Sequence, residues 1–232
     1  MFPILQIRHL AIQTPGLILL IGLYLGLSLT EKYLERYALP AGEIYTLVFG
    51  GLIAAALGGR LTYAAENLSA FKASPASLVA LNLALWDPTG GVIVGLGFFA
   101  WYAMRRKMKW RPLLDSLTPG LAVVMIAVGL SDLAAGSAYG VPARLPWSIY
   151  LWGAWRHPSQ VYEITGAVFA LGWVLKRLSQ SPDWFLPKPV TGGLFWEFIA
   201  WTAALRLFLE PFQADSALLM VLLLFTNDFG TR

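Results

Sequence analysis

Residues Leu10 to Leu29 read LAIQTPGLILLIGLYLGLSL, twenty positions without a charged side chain. About 20 predominantly apolar residues let an α-helix cross the hydrocarbon core of a bilayer, and a helix satisfies its own backbone hydrogen bonds there. Uncharged windows of the same kind recur at Ile44 to Gly59, Pro88 to Met104, Ser116 to Ser131 and Pro189 to Leu205. Two shorter ones, Val161 to Leu175 and Ser216 to Asn227, need their polar ends to complete a crossing. The chain of 232 residues is 57% hydrophobic and 13% charged, with a mean hydropathy of +0.62. These values exclude an ordinary soluble domain. The expected fold is all-α: a polytopic integral membrane protein of about seven transmembrane helices, forming one domain over residues 1–232. The start Met1-Phe2-Pro3 with Arg8 and His9 lacks the layout of a removable signal, so the first helix is expected to stay.

Seven spans put the two termini on opposite sides. With the N-terminus outside, the inner loops and tail hold Lys32, Arg36, Arg105, Arg106, Lys107, Lys109, Arg111, Lys176, Arg177, Lys188 and Arg232, the larger part of the 17 basic residues. The short loop from Arg105 to Arg111 carries most weight, because the positive-inside rule applies best to short loops. N-out and C-in is therefore the expected orientation. It sends Arg60, Asp132, Arg144, Arg156, His157, Glu163, Arg206 and Glu210 to the outer face. The two long outer segments, Leu61 to Asp87 and Leu133 to Gln160, carry Trp86, Trp147, Tyr150, Trp152 and Trp155. Such rings sit at headgroup level, and the segments are expected to form short interfacial helices. Ser179 to Pro189, with its three prolines, is the linker-like stretch.

Chemistry concentrates in Arg156-His157-Pro158-Ser159-Gln160-Val161-Tyr162-Glu163. Ionisable residues near lipid are costly and commonly functional. Pro158 stops any preceding helix and Ser159 is placed to cap the next, which puts His157 in a polar turn before a helix N-terminus, where free N–H groups favour phosphate. Arg206 and Glu210 are four apart and share one helix face, as a structural or a functional pair. Arg60 either snorkels to the headgroups or binds one. Gly90-Gly91 reads as a helix packing face or as an approach to a ligand. Asp132 is open to capping, to binding a hydroxyl, or to simple solvation. The absence of Cys removes disulfides, thiolate metal sites and a thiol nucleophile of the chain's own. No cofactor or metal is expected. A net charge of +4 without a basic stripe suits an anionic lipid surface and not nucleic acid.

Taken in order, these motifs resemble the prolipoprotein diacylglyceryl transferase family of bacterial membrane enzymes. The His-Pro-Ser-Gln-aliphatic-Tyr-Glu signature stands as His157 to Glu163. Weaker matches are Gly59-Arg60-Leu61-Thr62-Tyr63, Asp115 with Pro119-Gly120-Leu121-Ala122, and Arg206 with Glu210. The chain also departs from the pattern. The family's histidine before Gly-Gly at the third span is Thr89 here. Its Gly-Arg-x-Gly-Asn and Gly-Glu-x-x-Gly signatures become Gly129-Leu130-Ser131-Asp132 and Gly136-Ser137-Ala138-Tyr139-Gly140.

The resemblance implies a bacterial cytoplasmic (inner) membrane enzyme. It would move a diacylglyceryl group from phosphatidylglycerol to the lipobox cysteine thiol of a prolipoprotein, with the polar site toward the outer face. The implied catalytic residues are Arg206, Glu210, His157 and Glu163. Headgroup contacts are expected from Arg60, Tyr63, Arg156, Gln160, Tyr162, Asp132, Gly140, Gly90 and Gly91. Expected partners are a phosphatidylglycerol-like phospholipid and a prolipoprotein signal peptide, without nucleic acid. The alternative is a non-catalytic homologue that binds lipid headgroups and serves as a structural or accessory subunit of a larger membrane complex. A small transporter fits less well, because the ionisable residues gather at one face and do not line the midplane.

Overall fold

The computed structural model describes residues 4–7, 10–73, 86–179 and 192–213. The expected seventh span, Ser216 to Asn227, lies outside the described residues. So do Arg8 and His9, most of the Ser179 to Pro189 linker, and the 74–85 part of the first outer segment. The described elements are strands β1 (Ile4–Ile7) and β2 (Leu10–Gln13), helices α1 (Thr14–Leu34), α2 (Ala41–Glu66), α3 (Leu68–Ala73), α4 (Pro88–Arg105) and α5 (Trp110–Ala135), strands β3 (Ile149–Leu151) and β4 (Ala154–Arg156), and helices α6 (Ser159–Ser179) and α7 (Leu194–Leu209). Helices occupy six of the seven expected windows. Among the described residues, three stretches are long and apolar enough to cross a membrane: Thr14–Tyr37, Ala41–Glu66 and Trp110–Ala135, of 24, 26 and 26 residues. Leu20, Ile21 and Tyr24 on α1, Ile53 and Leu57 on α2, and Ile93 and Leu96 on α4 are exposed. Apolar faces of that extent are stable in lipid and not in water.

The all-α expectation is corrected by two antiparallel hairpins, β1 with β2 and β3 with β4. The first makes α1 begin at Thr14, four residues later than the uncharged window suggested. The second replaces the expected interfacial helix in the second outer segment. Its turn is Trp152-Gly153, with φ of 51° and 78°. Positive φ at both central residues gives the turn the twist of a two-residue hairpin, and glycine adopts it freely. The first outer segment keeps one short helix, α3.

The described residues form two compact units, one within 1–33 and 114–232 and the other within 34–113. In the first, α1 and α5 cross at glycine. A Cβ on Gly120 would lie 2.7 Å from the Gly26 carbonyl oxygen, and one on Gly26 would lie 2.9 Å from that of Gly120. Without those glycines the backbones could not approach so closely. Ala122 of α5, Ala170, Val174 and Leu178 of α6, and Leu194 and Phe198 of α7 form the buried core. Asp115, fully buried, ties α5 to the start of α7 by accepting the Gly192 and Phe195 N–H groups at 2.7 and 2.8 Å. Phe195 is in the first turn of α7, whose N–H groups have no intrahelical acceptor, and Gly192 lies just before the helix. In the second unit α2 and α4 run side by side. Phe98 covers Gly50, Val94 covers Gly58, and Ala55 meets Gly95.

Candidate functional site

The His157 motif is built where α6 begins. Pro158 ends the preceding chain, and its carbonyl accepts from the N–H groups of Val161 and Tyr162 at 2.9 and 3.2 Å. Ser159 does not close its own helix as a cap. Its hydroxyl donates to the Ala138 carbonyl at 2.6 Å, and Gln160 Nε2 donates to the Ser137 carbonyl at 2.6 Å. Both side chains are fully buried. The first turn of α6 is thus fixed to the 137–138 segment, and Gln160, expected at a headgroup, is enclosed.

Gly140 sits where three backbone segments converge. Its N–H donates to the His157 carbonyl at 3.2 Å and it bridges to Gln213. A Cβ there would lie 2.5 Å from the His157 carbonyl oxygen and 2.7 Å from that of Phe212, so only glycine fits. Arg156, expected at phosphate, is engaged within the fold. Nε donates to the Leu151 carbonyl at 3.1 Å, Nη1 to the Gly140 carbonyl at 3.3 Å, and the guanidinium lies 4.7 Å from the Tyr139 ring centre. Arg156 fastens the hairpin to the 139–140 segment.

His157 Nδ1 lies 3.2 Å from the Tyr162 hydroxyl, which also accepts from Trp147 Nε1 at 2.8 Å. The imidazole packs on Phe212 with ring centres 5.2 Å apart. Nδ1 is therefore committed, while Nε2 has no partner among the described residues.

Arg206 on α7 reaches α6 and not only its own helix face. Nη1 donates to Glu163 Oε1 at 3.0 Å, and Gln213 Nε2 donates to the same oxygen at 2.7 Å. The Glu163 side chain is 10% exposed and that of Arg206 62%. A buried carboxylate thus holds an outward guanidinium whose Nε and Nη2 have no hydrogen-bond partner among the described residues. Beside it on α7, Leu207 and Phe208 are exposed, which places this cation next to an apolar surface. Glu210 follows on the same chain, its N–H donating to the Arg206 carbonyl. Asp132 accepts the Ser137 hydroxyl at 2.8 Å, and its carbonyl accepts the Gly136 and Ser137 N–H groups, so it closes the end of α5.

Arg60, Tyr63, Gly90 and Gly91 belong to the second unit. Arg60 is half-buried near the end of α2. The Tyr63 ring meets Phe71 of α3 edge-on at 6.2 Å. Gly90 is covered by Thr62 and Gly91 by Trp86, so this pair is a packing face. Asp87 caps α4 by accepting the Gly90 N–H, and Thr89 is exposed in the helix's first turn. Sequence reasoning missed Gln213, Tyr139 and Phe212 as members of the first unit's site. Each joins through long-range contacts that no local pattern announces.

The model for the family described as prolipoprotein diacylglyceryl transferase matches residues 3–228. The chain is 28% identical to the phosphatidylglycerol-prolipoprotein diacylglyceryl transferase of Thermus thermophilus, over 96% of this chain and 86% of that protein. It is 28% identical to the enzyme of the same name from Geobacter sulfurreducens, over 94% and 84%. With that of Methylococcus capsulatus the identity is 30%, over 78% and 70%.

Proposed function

The chain belongs to the prolipoprotein diacylglyceryl transferase family, and from that premise we propose that it transfers the diacylglyceryl group of phosphatidylglycerol to the lipobox cysteine thiol of a prolipoprotein. The observation that carries this reading is the Arg206–Glu163–Gln213 set. It offers two guanidinium nitrogens without a partner among the described residues, beside an exposed apolar surface and held by a buried carboxylate. In the reaction the thiolate sulfur forms a C–S bond to the glyceryl carbon. The C–O bond to phosphate breaks, and its electron pair leaves on glycerol phosphate. Negative charge gathers on the departing phosphate, and Nε and Nη2 of Arg206 are placed to take it. A donor whose interaction strengthens in this way lowers the barrier.

The thiol proton needs an acceptor, because the thiolate is the nucleophile. His157 supplies one at Nε2 in the tautomer protonated at Nδ1, with the Tyr162 oxygen accepting from both His157 and Trp147. Glu163 and Gln213 are positioning residues for Arg206, and Arg156 and Gly140 hold the turn. The reading includes a multi-pass protein of the bacterial cytoplasmic membrane with its N-terminus and this polar set on the outer face. The Arg105 to Arg111 loop supports that orientation.

A second reading, a homologue that binds headgroups without catalysis, is favoured by Thr89, Leu130 and Ser137, which stand where the family pattern has histidine, arginine and glutamate. One assay separates the two. Purified protein is incubated with labelled phosphatidylglycerol and a lipobox peptide. Thioether-linked product supports transfer; lipid binding without product supports the second reading.

A further inference from the structure

The second unit contains a cavity of about 460 Å³ at the end of the α2/α4 pair away from Arg60, within the size range of small-ligand sites. Glu43, at the start of α2, lies 17 positions before Arg60, about 26 Å along a helix. Tyr37 and Pro40 line the cavity before Glu43, and Arg106, Lys107 and Lys109 line it from the α4–α5 loop.

The charges within it are unequal. Glu43 faces three cations and is already engaged: its Oε2 accepts the Tyr102 hydroxyl at 2.6 Å and pairs with Arg106 Nε at 3.1 Å. Arg106 also lies over the Tyr102 ring, 5.5 Å from its centre, so its position is fixed. Lys107 and Lys109 are exposed, and their ammonium groups have no hydrogen-bond or ion-pair partner among the described residues. Lys107 has φ of 53°, a left-handed conformation that reverses the chain there and turns the loop back along the cavity wall. Next to the basic residues in sequence, Met104 and Trp110 expose large apolar side chains.

We propose that this cavity is a second phospholipid site, one that takes the phosphate of an anionic glycerophospholipid headgroup between Lys107, Lys109 and Arg106. A neutral or cationic ligand would leave the two lysines uncompensated. A lipid fits better than a soluble phosphate ester, because the helices that form the cavity present Ile53, Leu57, Ile93 and Leu96 outward, and Met104 and Trp110, which flank the basic lining residues in sequence, are exposed apolar surface for acyl chains. Basic side chains at a bilayer surface attract anionic lipid there. The proposal does not depend on the reading of Arg206.

The test counts lipid adducts on the full-length protein by native mass spectrometry, titrating phosphatidylglycerol or phosphatidylcholine. An Arg206→Gln background removes the main contact of the first site. In it, Lys107→Gln/Lys109→Gln is expected to weaken phosphatidylglycerol binding by about 25-fold, about fivefold per lysine, and to leave phosphatidylcholine unchanged. Glu43→Gln keeps an acceptor for Tyr102 but removes the negative charge, and is expected to tighten phosphatidylglycerol binding by about fivefold. Binding unchanged in the double variant would overturn the proposal. So would equal weakening by both substitutions, which means general damage. Displacement of the lipid by millimolar glycerol phosphate would assign the site to a soluble ester and overturn it too.

Discussion

Arg206 Nη1 donates to Glu163 Oε1 at 3.0 Å, joining α7 to α6 across 43 positions of sequence. The pair is asymmetric. The carboxylate is enclosed and the guanidinium faces outward. Exposed ion pairs contribute little to stability, so the value of this one lies in aiming Arg206.

Arg206→Gln removes the phosphate donor and leaves the helix intact. Thioether formation is expected to fall by about 10²-fold or more in kcat, with a smaller change in KM. Steady-state kinetics with a lipobox peptide measures both. An equal loss in Arg206→Lys would mark the planar fork, and not charge alone, as the requirement.

Gln213→Leu leaves the Glu163 carboxylate with Arg206 as its one remaining hydrogen-bond partner among the described residues. Loss of a hydrogen bond to a charged group costs about 1.5–3 kcal/mol, and the carboxylate then draws the guanidinium inward. The variant is expected to fold and to lose activity, and Gln213→Glu, which sets two carboxylates together, is expected to lose more. Product yield at matched protein levels reports the order.

Tyr162→Phe removes the oxygen that fixes His157 Nδ1 and leaves Trp147 Nε1 without its acceptor. A reduction in kcat of about tenfold is expected, part of the 10²- to 10⁴-fold that general-base catalysis supplies. His157→Gln is expected to lose more than Tyr162→Phe. The reverse order would remove His157 from the proton path.

Asp115→Ala strands the Gly192 and Phe195 N–H groups at the start of α7. Each lost hydrogen bond to a buried carboxylate costs about 1.5–3 kcal/mol. Thermal unfolding in detergent is expected at a clearly lower temperature. Asp115→Asn, which keeps one acceptor oxygen, should fall between the two.

The membrane helices were legible in the sequence because lipid imposes a one-dimensional rule: a long uncharged run must be a helix. Leu10 to Leu29 and Ser116 to Ser131 obey it, with a strand taking the start of the first and α5 running past both ends of the second, from Trp110 to Ala135. The β3–β4 hairpin was not legible in the same way. Trp147, Tyr150, Trp152 and Trp155 suit a membrane interface in either a helix or a strand, and the Trp152-Gly153 turn signal is two residues long. Within the site, the pairing rule for residues four apart pointed Arg206 at Glu210. The contact with Glu163 depends on how α6 and α7 pack. Arg156 and Arg206 are the same residue type near a span end, and the fold separates them: one is engaged by Leu151, Gly140 and Tyr139, the other is aimed outward. Ser159 fits a helix-cap pattern, yet its hydroxyl is drawn to Ala138 by a segment that the local sequence does not place beside it.

The most direct measurement follows thioether product and released glycerol phosphate together, from phosphatidylglycerol and a lipobox peptide, in the unaltered protein and in Arg206→Gln. Both products are expected to appear in equal amounts with the unaltered protein and to fall together by about 10²-fold in the variant. Failure of the unaltered protein to form thioether while it still binds phosphatidylglycerol would contradict transfer. Equal rates in the two proteins would contradict the role of Arg206.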